Sequence, residues 1–368
     1  MLKTLYFFIG TEAELMKMFH VINEARSRNY DCRIISSGQN DIKNSPYLEK
    51  VGGVIDVDLT EMMPEKKTAW NYLSWFIKTE KLGIKVMKEI RDKCDGKLIM
   101  IVHGDTLTTL MGARIAQKCK IEHMHVESGL RSHNWLSPFP EEIDRYFSSK
   151  KSVINFCQKR TAAEYAAKAF RGKAVNTEYN TGIEILFDAL YEIEKKQMKS
   201  PINGKYFLTA IHRQENLMSR KFMKNTFEKI FDLSESMKCV FIYHVQTESA
   251  LKKFGLWERF EECENIIKLP RQNYVSFINY VINSEFVMAD GCGNQQEFFY
   301  LGQPYLIMRT AVEKKSEGLG ENAFCFKGDY SKIDEFVSKY HEYKRDRVCP
   351  ERMPSKIIVD EIDLYFGR

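Results

Sequence analysis

Three carboxylates of the segment between His103 and Arg145 are candidates for acid–base chemistry. Asp105 follows the apolar run LIMIV, Glu127 follows HMHV, and Glu141 comes directly after SPFP. Ligands bind outside the carboxyl ends of the strands in an open parallel sheet, so we expect Asp105 and Glu127 to share the mouth of one cleft. Carboxylates brought together away from water have pKa values that split, which gives a site one proton acceptor and one donor. Each acid alone fits a helix cap or a solvated charge, but the set favours acid–base chemistry.

The glycine turn after the first apolar run is a candidate anion site. GTEAELMKM starts at Gly10 and places a turn before a helix, whose first N–H groups and positive dipole end favour an anion. Lys17, farther along this helix, adds a positive charge. The same pattern is found as a plain turn in α/β domains, so a structural role stays open.

Two segments of the second half contain further candidate residues. IHRQEN puts His212 beside Arg213 at a strand end, an arrangement that faces an anion. In GCGNQQEF, Gly291 and Gly293 let the backbone approach a ligand closely, and Glu297 is placed to accept hydrogen bonds from ribose hydroxyls. The spacing matches neither GxGxxG nor a P-loop, so a glycine-rich bend without a ligand also stays open.

Alternating strand-like and helix-like segments would position these residues. Such a rhythm is typical of βαβ units and a parallel sheet. In the first half, the pattern predicts strands near 2–9, 31–37, 98–103, 121–126 and 152–157, and helices near 11–28, 66–95, 106–119, 141–149 and 159–171. In the second half, it predicts strands near 205–211, 238–243, 264–269, 285–290 and 304–309, and helices near 218–235, 247–257, 272–283, 294–301 and 331–343.

A chain of 368 residues is too long for one ordinary core, so we expect two domains. The charged segment 187–205, which ends in Pro201 and Gly204, marks the junction. The predicted fold is α/β, with two Rossmann-like, doubly wound domains over 1–185 and 186–350 that face a central cleft. The apolar residues of 351–368 have helical spacing, which suggests a C-terminal helix that packs back on the N-terminal domain.

Composition narrows the class of protein. Charged residues make up 29% of the chain and hydrophobic residues 44%, the balance of a globular protein. A net charge of +5 suits an anionic small molecule better than nucleic acid. No apolar run approaches the roughly 20 residues of a membrane span, and the start turns polar too soon for a signal peptide, so we expect a cytoplasmic protein. Nine cysteines without a CxxC pair indicate free thiols and argue against a zinc site.

The ordered set of motifs resembles the UDP-N-acetylglucosamine 2-epimerase family, which is built on the two-domain GT-B scaffold. No single motif is decisive, but their order along nearly the whole chain is specific. The matching segments are GTEAELMKM, HGDTLTTL, HVESGLRS, SPFPEEIDR, Thr181 with Gly182, IHRQEN, RQNYVSF, DGCGNQQEFFYLGQP and LIMR.

The resemblance implies a reaction and a set of site residues. That family inverts C2 of the sugar by eliminating UDP to give a glycal and adding UDP back after protonation of the opposite face. By resemblance, the catalytic residues are Asp105, Glu127, Glu141 and His212, with the carboxylates handling protons and the histidine beside the diphosphate. The implied substrate-binding residues are Gly10, Lys17, His103, Arg145, Arg213, Gln272, Phe277, Gly291, Cys292, Gly293, Glu297, Arg309 and Lys314. The resemblance implies no metal or cofactor, and it suggests a homodimer that serves surface polysaccharide synthesis.

The motifs depart from the family pattern in the phosphate-binding and regulatory segments. GTEAE puts Glu12 where the family has arginine, and this carboxylate would repel a diphosphate unless it turns away or pairs with Lys17. DGCG puts Gly291 where the family has serine. The other departures are Lys314 within EKKSEG, HVQ at 244–246 and GQND at 38–41. The carboxylates match, so the pattern suggests an altered nucleotide sugar or altered chemistry.

Three other functions remain open at this point. One is a hydrolysing epimerase that releases free N-acetylmannosamine and UDP. The second is a GT-B glycosyltransferase that uses the same residues to move a sugar to an acceptor, which the altered GTEAE and DGCG segments favour. The third is a nucleotide-sugar binding protein without turnover. Retention of the acids Asp105, Glu127 and Glu141 argues against this function.

Overall fold

The computed structural model describes residues 3–60, 69–135, 140–291, 294–310 and 320–367. The chain divides into two units. Unit 1 comprises Met1–Ile185 and Pro350–Arg368, and unit 2 comprises Leu186–Cys349. Among the described residues, each unit contains one parallel β-sheet with helices between its strands, so the predicted α/β class is confirmed.

Unit 1 is built on a sheet of seven parallel strands within the described ranges. The strands are β1 (Lys3–Ile9), β2 (Asp31–Ser36), β3 (Val57–Asp58), β4 (Lys97–His103), β5 (Glu122–Val126), β6 (Ile154–Cys157) and β7 (Lys173–Asn176). The helices are α1 (Glu12–Ser27), α2 (Pro46–Glu49), α3 (Ala69–Lys93), α4 (Leu107–Lys118), α5 (Glu141–Lys150), α6 (Arg160–Ala169) and α7 (Gly182–Lys195), the last of which continues into unit 2. The strand order is β3-β2-β1-β4-β5-β6-β7.

Unit 2 has a second parallel sheet, of six strands in the described part of the chain. The strands are β8 (Tyr206–Ala210), β9 (Lys238–Ile242), β10 (Ile266–Leu269), β11 (Val287–Ala289), β12 (Tyr305–Ile307) and β13 (Ala323–Cys325), in the order β10-β9-β8-β11-β12-β13. The helices are α8 (Gln214–Leu217), α9 (Arg220–Ser236), α10 (Val245–Phe254), α11 (Trp257–Glu262), α12 (Tyr274–Ile282), α13 (Gln295–Tyr300) and α14 (Ser331–Lys339), followed by a 3-10 turn, Tyr340–Tyr343. In the ranges described, no helix combines the length and apolar character needed to cross a membrane.

The last helix, α15 (Pro354–Tyr365), belongs to unit 1, where it packs against α1. Arg28 of α1 forms ion pairs with Asp360 at 2.5 Å and Asp363 at 2.8 Å. At the start of α15, Ser355 donates its hydroxyl to the buried carboxylate of Glu184 at 2.5 Å. These polar contacts fasten the end of the chain to unit 1.

The central strands of unit 1 lie in the middle of the fold. β1 reads KTLYFFI and β4 reads KLIMIVH, and every residue but the first of each strand is buried. Continuous apolar strands of this kind are typical of a parallel sheet whose two faces are both covered by helices. The sheet grows in opposite directions from β1, towards β2 on one side and β4 on the other. The crevice at such a switch point is the usual ligand site of an open parallel sheet.

Most of the predicted strands and helices are found within a few residues of their expected bounds. The strands that the sequence analysis missed are β3, β7 and β13, each two to four residues long. β7 reads KAVN and buries one of its four residues, so it has no apolar run to signal it. Such short strands form because a neighbouring strand offers free hydrogen-bonding groups.

Candidate active site

The carboxyl ends of β1, β4 and β5 bring several predicted site residues together. The register pairs His103, the last residue of β4, with Val126, the last residue of β5. Glu127 therefore follows immediately beyond His103 at the same edge of the sheet. Its φ is +66°, a left-handed backbone conformation that costs a non-glycine residue about 1–2 kcal/mol. Strain of this kind is typical of functional sites.

Glu127 is held by two donors in a largely buried position. Its Oε2 lies 2.9 Å from Lys17 Nζ and 3.0 Å from His103 Nε2, with 15% of the side chain exposed. Burial alone would raise the pKa of Glu127, but the charge of Lys17 and the hydrogen bond from His103 hold it well below its usual range. This carboxylate is therefore ionised at neutral pH.

The turn at Gly10 is filled by a carboxylate of the protein itself. Glu14, 3% exposed, accepts hydrogen bonds from the backbone N–H of Gly10 at 2.6 Å and of Thr11 at 3.1 Å, and from the Thr106 hydroxyl at 2.5 Å. A side chain at Gly10 would meet Thr108 Oγ1 at 1.9 Å. The glycine thus permits close packing between β1 and α4. The sequence analysis missed Glu14, although T-x-x-E at Thr11 is a capping-box signal.

Glu12, the departure noted in GTEAE, is an exposed residue. Its Oε1 accepts a hydrogen bond from Ser45 Oγ at 3.2 Å. Lys17 forms its ion pair with Glu127. The side chain that replaces the family's arginine is thus in contact with the residue that precedes α2.

Asp105 pairs with Arg145 across the gap between β4 and α5. Arg145 Nη2 lies 2.5 Å from Asp105 Oδ2, and the two side chains are 20% and 34% exposed. Burial lowers the pKa of Arg145, but Asp105 and then Glu127 raise it above its usual value. Arg145 thus links the Asp105 carboxylate electrostatically to the group around Glu127.

His125 fixes the turn that presents Asp105. The ring is fully buried in β5, with Nε2 2.7 Å from the carbonyl oxygen of Gly104 and Nδ1 2.9 Å from Ser149 Oγ. Burial lowers the pKa of His125 to about 3, so the ring is neutral and Nε2–H donates to the carbonyl. Gly104 has a φ of +77°, which glycine adopts without steric cost.

The two adjacent glutamates that open α5 differ in their surroundings. Glu142 is fully buried and accepts hydrogen bonds from Arg131 Nε at 2.6 Å and from the backbone of Ser132 and His133. Burial opposes its ionisation, but these N–H groups and the Arg131 charge lower the pKa of Glu142. Glu142 therefore anchors the preceding loop, whereas Glu141 Oε2 is buried without a hydrogen-bond partner among the described residues.

Asp144 is a buried acid that the sequence analysis did not single out. Its side chain is 1% exposed, and burial, with the nearby charges of Asp105 and Glu141, raises its pKa to about 8. The pKa of Asp144 is thus raised, whereas the pKa of Glu127 is lowered. The spacing of Glu141, Asp144 and Ser148 along one helix face is a sequence signal that could have identified it.

In unit 2, Asp290 organises the segment around His212. This fully buried carboxylate accepts hydrogen bonds from the backbone N–H of His212 and of Arg213, both at 3.0 Å, and from Asn216 Nδ2 at 2.9 Å. Asp290 is the first residue of DGCG, yet the sequence analysis missed it because its partners lie nearly 80 residues earlier.

Gly291 makes room for the imidazole of His212. A Cβ at Gly291 would lie 2.5 Å from His212 Cε1. The ring also packs against His244, with centroids 4.8 Å apart. Burial and then the charge of His212 lower the pKa of His244. Within unit 2, the structure therefore brings His212 and Gly291 together.

The remaining predicted binding residues of unit 2 have local contacts. Gln272 donates to the carbonyl of Pro270 at 2.7 Å, and the Phe277 ring packs against Phe298 with centroids 6.4 Å apart. The Tyr274 hydroxyl lies 3.4 Å from Glu297 Oε1.

Another cluster of charged side chains in unit 2 surrounds Glu215 of α8. Arg213 Nε is 2.5 Å from Glu215 Oε1. Burial opposes the ionisation of Glu215, but its own backbone N–H, Arg213 and Arg309 lower its pKa.

Cys292, Gly293 and Lys314 lie outside the described residues. In the described ranges, no cluster of three or more His, Cys, Asp or Glu side chains has the arrangement of a metal site.

Comparison with known proteins gives consistent matches. The family model described as UDP-N-acetylglucosamine 2-epimerase matches residues 23–353. The UDP-N-acetylglucosamine 2-epimerase of Methanocaldococcus jannaschii is 27% identical over 316 residues, 83% of each chain. The enzyme of the same name from Bacillus subtilis is 27% identical over 379 aligned positions, which cover 97% of this chain and 94% of the relative.

A solved structure matches the fold over nearly its whole length. The UDP-GlcNAc 2-epimerase from Neisseria meningitidis bound to UDP-GlcNAc superposes with a TM-score of 0.77 at 24% identity, covering 98% of this chain and 99% of that one. The expected GT-B fold is thereby confirmed. With the family model matched over most of its length, the chain belongs to the UDP-N-acetylglucosamine 2-epimerase family.

Proposed function

We propose that this protein interconverts UDP-N-acetylglucosamine and UDP-N-acetylmannosamine by inverting C2 of the sugar. Family membership and the names of the relatives support this activity. The structural observation that carries it is the presence of two ion-paired carboxylates at one edge of the sheet. Glu127 pairs with Lys17, and Asp105 pairs with Arg145. The product would supply the synthesis of a surface polysaccharide.

The proposed reaction has two proton steps. A carboxylate removes the C2 proton, the C1–C2 double bond forms, and the C1–O bond breaks so that UDP leaves with the bonding electrons. An acid then returns a proton to the opposite face of C2 while UDP adds back to C1. Asp105, Glu127 and Glu141 are the proton-handling groups in this proposal. General acid–base catalysis of this kind contributes about 10²–10⁴-fold to a rate.

Glu127 has a distinct part in this scheme. A carboxylate held ionised by two donors is a weak proton donor at neutral pH, so Glu127 serves as an acceptor or orients Lys17 and His103 towards the substrate. Asp105 is likewise aimed by its ion pair with Arg145. In this proposal, the two ion pairs hold the carboxylates and their cationic partners in fixed positions beside the leaving group and the C2 proton.

Unit 2 would bind the nucleotide in this proposal. The backbone of His212 is held at the end of β8 by Asp290, and in this proposal its imidazole donates a hydrogen bond to the diphosphate. The other nucleotide contacts in the proposal are Arg213, Gln272, Phe277, Gly291, Cys292, Gly293, Glu297, Arg309 and Lys314.

Product analysis tests the proposal and separates it from its alternatives. Incubation of the protein with UDP-N-acetylglucosamine should give UDP-N-acetylmannosamine, detected by proton NMR. Release of free N-acetylmannosamine with UDP would identify the hydrolysing reaction instead. Sugar transfer to an acceptor without a C2 epimer would identify a glycosyltransferase. The Asp105→Asn variant should lose turnover, whereas Asp92→Asn, on the exposed end of α3, should retain it.

We also propose that the protein assembles as a homodimer. Trp70, Leu73 and Ile77 form an apolar stripe on α3 and are 80%, 50% and 43% exposed. Exposed stripes at helical spacing are typical of protein interfaces. Sedimentation should give twice the 43.1 kDa mass of the chain, and Leu73→Glu should give the single chain. A monomeric wild type would refute the dimer.

A further inference from the structure

The inner face of α5 holds a row of buried polar groups. Glu141, Asp144 and Ser148 are spaced three and four residues apart, so they lie on one face of the helix. Glu141 Oε2, Asp144 Oδ2 and Ser148 Oγ are all buried without a hydrogen-bond partner within the described ranges. Buried polar atoms are nearly always paired in folded proteins, and exceptions occur at catalytic sites. This row therefore needs a functional explanation.

The charges nearest to Asp144 are mostly negative. Asp105, from the turn before α4, and Glu141, one turn earlier on the same helix, both oppose its ionisation. Arg145, the next residue along, is paired with Asp105 at 2.5 Å. Glu127, at the end of β5, acts on the Arg145 charge as well. Burial and these two acids raise the pKa of Asp144 to about 8, so the group keeps its proton at neutral pH.

The positively charged side chains on the elements that pack against α5 form ion pairs with acids other than Asp144. On α4, Arg114 Nε and Lys118 Nζ lie 2.6 Å and 3.1 Å from Glu80 of α3. On the loop before α5, Arg131 pairs with Glu142 at 2.6 Å. Among the described residues, the cluster of Asp105, Glu141 and Asp144 therefore has one ion pair, between Arg145 and Asp105.

We propose that Asp144 is a positioning residue which, by staying protonated, keeps a third negative charge out of the cluster and allows Asp105 and Glu141 to exchange protons with the substrate. This role rests on the proposed epimerase function. Loss of the Asp144 proton would add a third negative charge to the cluster. The new carboxylate would repel the carboxylates of Asp105 and Glu141, the two acids whose charges act on Asp144. In this ionisation the carboxyl O–H bond breaks and the proton passes to solvent, and no other covalent bond changes.

The pH dependence of turnover tests the proposal with Asp144→Asn. The amide has nearly the shape of the neutral acid but cannot ionise. In the wild type, kcat should fall about tenfold between pH 7 and pH 9, because a group with a pKa near 8 is mostly ionised at pH 9. The variant should lie within about threefold of the wild type at pH 7 and lose that alkaline fall. The matched control Asp92→Asn should keep the wild-type profile. Equal alkaline falls in wild type and Asp144→Asn would overturn the proposal.

A second measurement needs neither the variant nor turnover. Wild-type protein labelled with carbon-13 at the aspartate carboxyl groups should show one resonance that titrates near pH 8. Absence of such a resonance would overturn the proposal even if Asp144→Asn failed to fold. A wild type that gives no C2 exchange would refute the proposed reaction, and with it the role of Asp144 in that reaction. C2 exchange without this titration would refute the role of Asp144 alone.

Discussion

Replacement of Lys17 by methionine tests the electrostatics of the Glu127 site. The pair distance of 2.9 Å corresponds to an attraction of about 6 kcal/mol at an effective dielectric constant of about 20, before desolvation is counted. The side chains are 24% and 15% exposed, so solvent and desolvation offset much of this attraction. We expect Lys17→Met to reduce the free energy of unfolding by about 2 kcal/mol and the Tm by about 4–8 °C. Turnover should fall about a hundredfold or more.

The effect should depend on pH with a definite sign. The folded state lowers the pKa of Glu127, so the ion pair stabilises the protein above the unfolded-state pKa of about 4.3. Its contribution disappears as the pH falls through the folded-state value. The difference in Tm between wild type and Lys17→Met should therefore be constant from pH 6 to pH 8 and shrink below about pH 4.

A matched control is the Lys118→Met variant, which removes an exposed lysine from a carboxylate that keeps a second partner, Arg114. Lys118 lies 3.1 Å from Glu80 and its side chain is 48% exposed, so its loss should cost about 0–1 kcal/mol. Differential scanning fluorimetry and urea unfolding measure both variants. Equal stability of Lys17→Met and wild type at pH 7 would refute the assigned electrostatics of Glu127.

Three further substitutions test the scaffold around the site. Glu142→Ala should reduce the free energy of unfolding in urea by about 3–5 kcal/mol, because it leaves the Arg131 guanidinium buried without its carboxylate; a loss below about 1 kcal/mol would contradict this. Gly10→Ala places a Cβ against a buried threonine hydroxyl and should cost about 1–3 kcal/mol in the same assay. Gly291→Ala should displace the His212 ring, reducing kcat about tenfold with little change in Tm; an unchanged His212 resonance in NMR would count against the close approach.

The sequence predicts the central strands that carry the site because β1 and β4 are long and apolar and β5 follows them in the same strand–helix rhythm. β1, β4 and β5 all appear as buried runs, and the rule for parallel sheets correctly places His103 and Glu127 at one edge. The short outer strands are set by their neighbours in the sheet, and their own residues carry little pattern. Sequence periodicity therefore reveals the centre of each sheet better than its margins.

The partners of the site residues are harder to predict from sequence. The ion pair of Lys17 with Glu127 joins residues that are 110 positions apart, and it depends on how α1 packs over the sheet. The role of Asp290 likewise becomes clear only from the hydrogen bonds that it accepts from His212, Arg213 and Asn216. Two acids adjacent in EEIDR, Glu141 and Glu142, differ because one is paired with Arg131 and the other is not. Burial and pairing, rather than residue type, lower the pKa of Glu142 and raise the pKa of Asp144 on the same helix.

Deuterium incorporation at C2 reports directly on removal and return of the C2 proton by this protein. The protein is incubated with UDP-N-acetylglucosamine in deuterium oxide, and proton NMR follows the C2 proton of each epimer. We expect loss of the C2 proton signal from both UDP-sugars with the wild type, and no such loss with Asp105→Asn. Retention of the C2 proton by the wild type, with no second epimer formed, would contradict it.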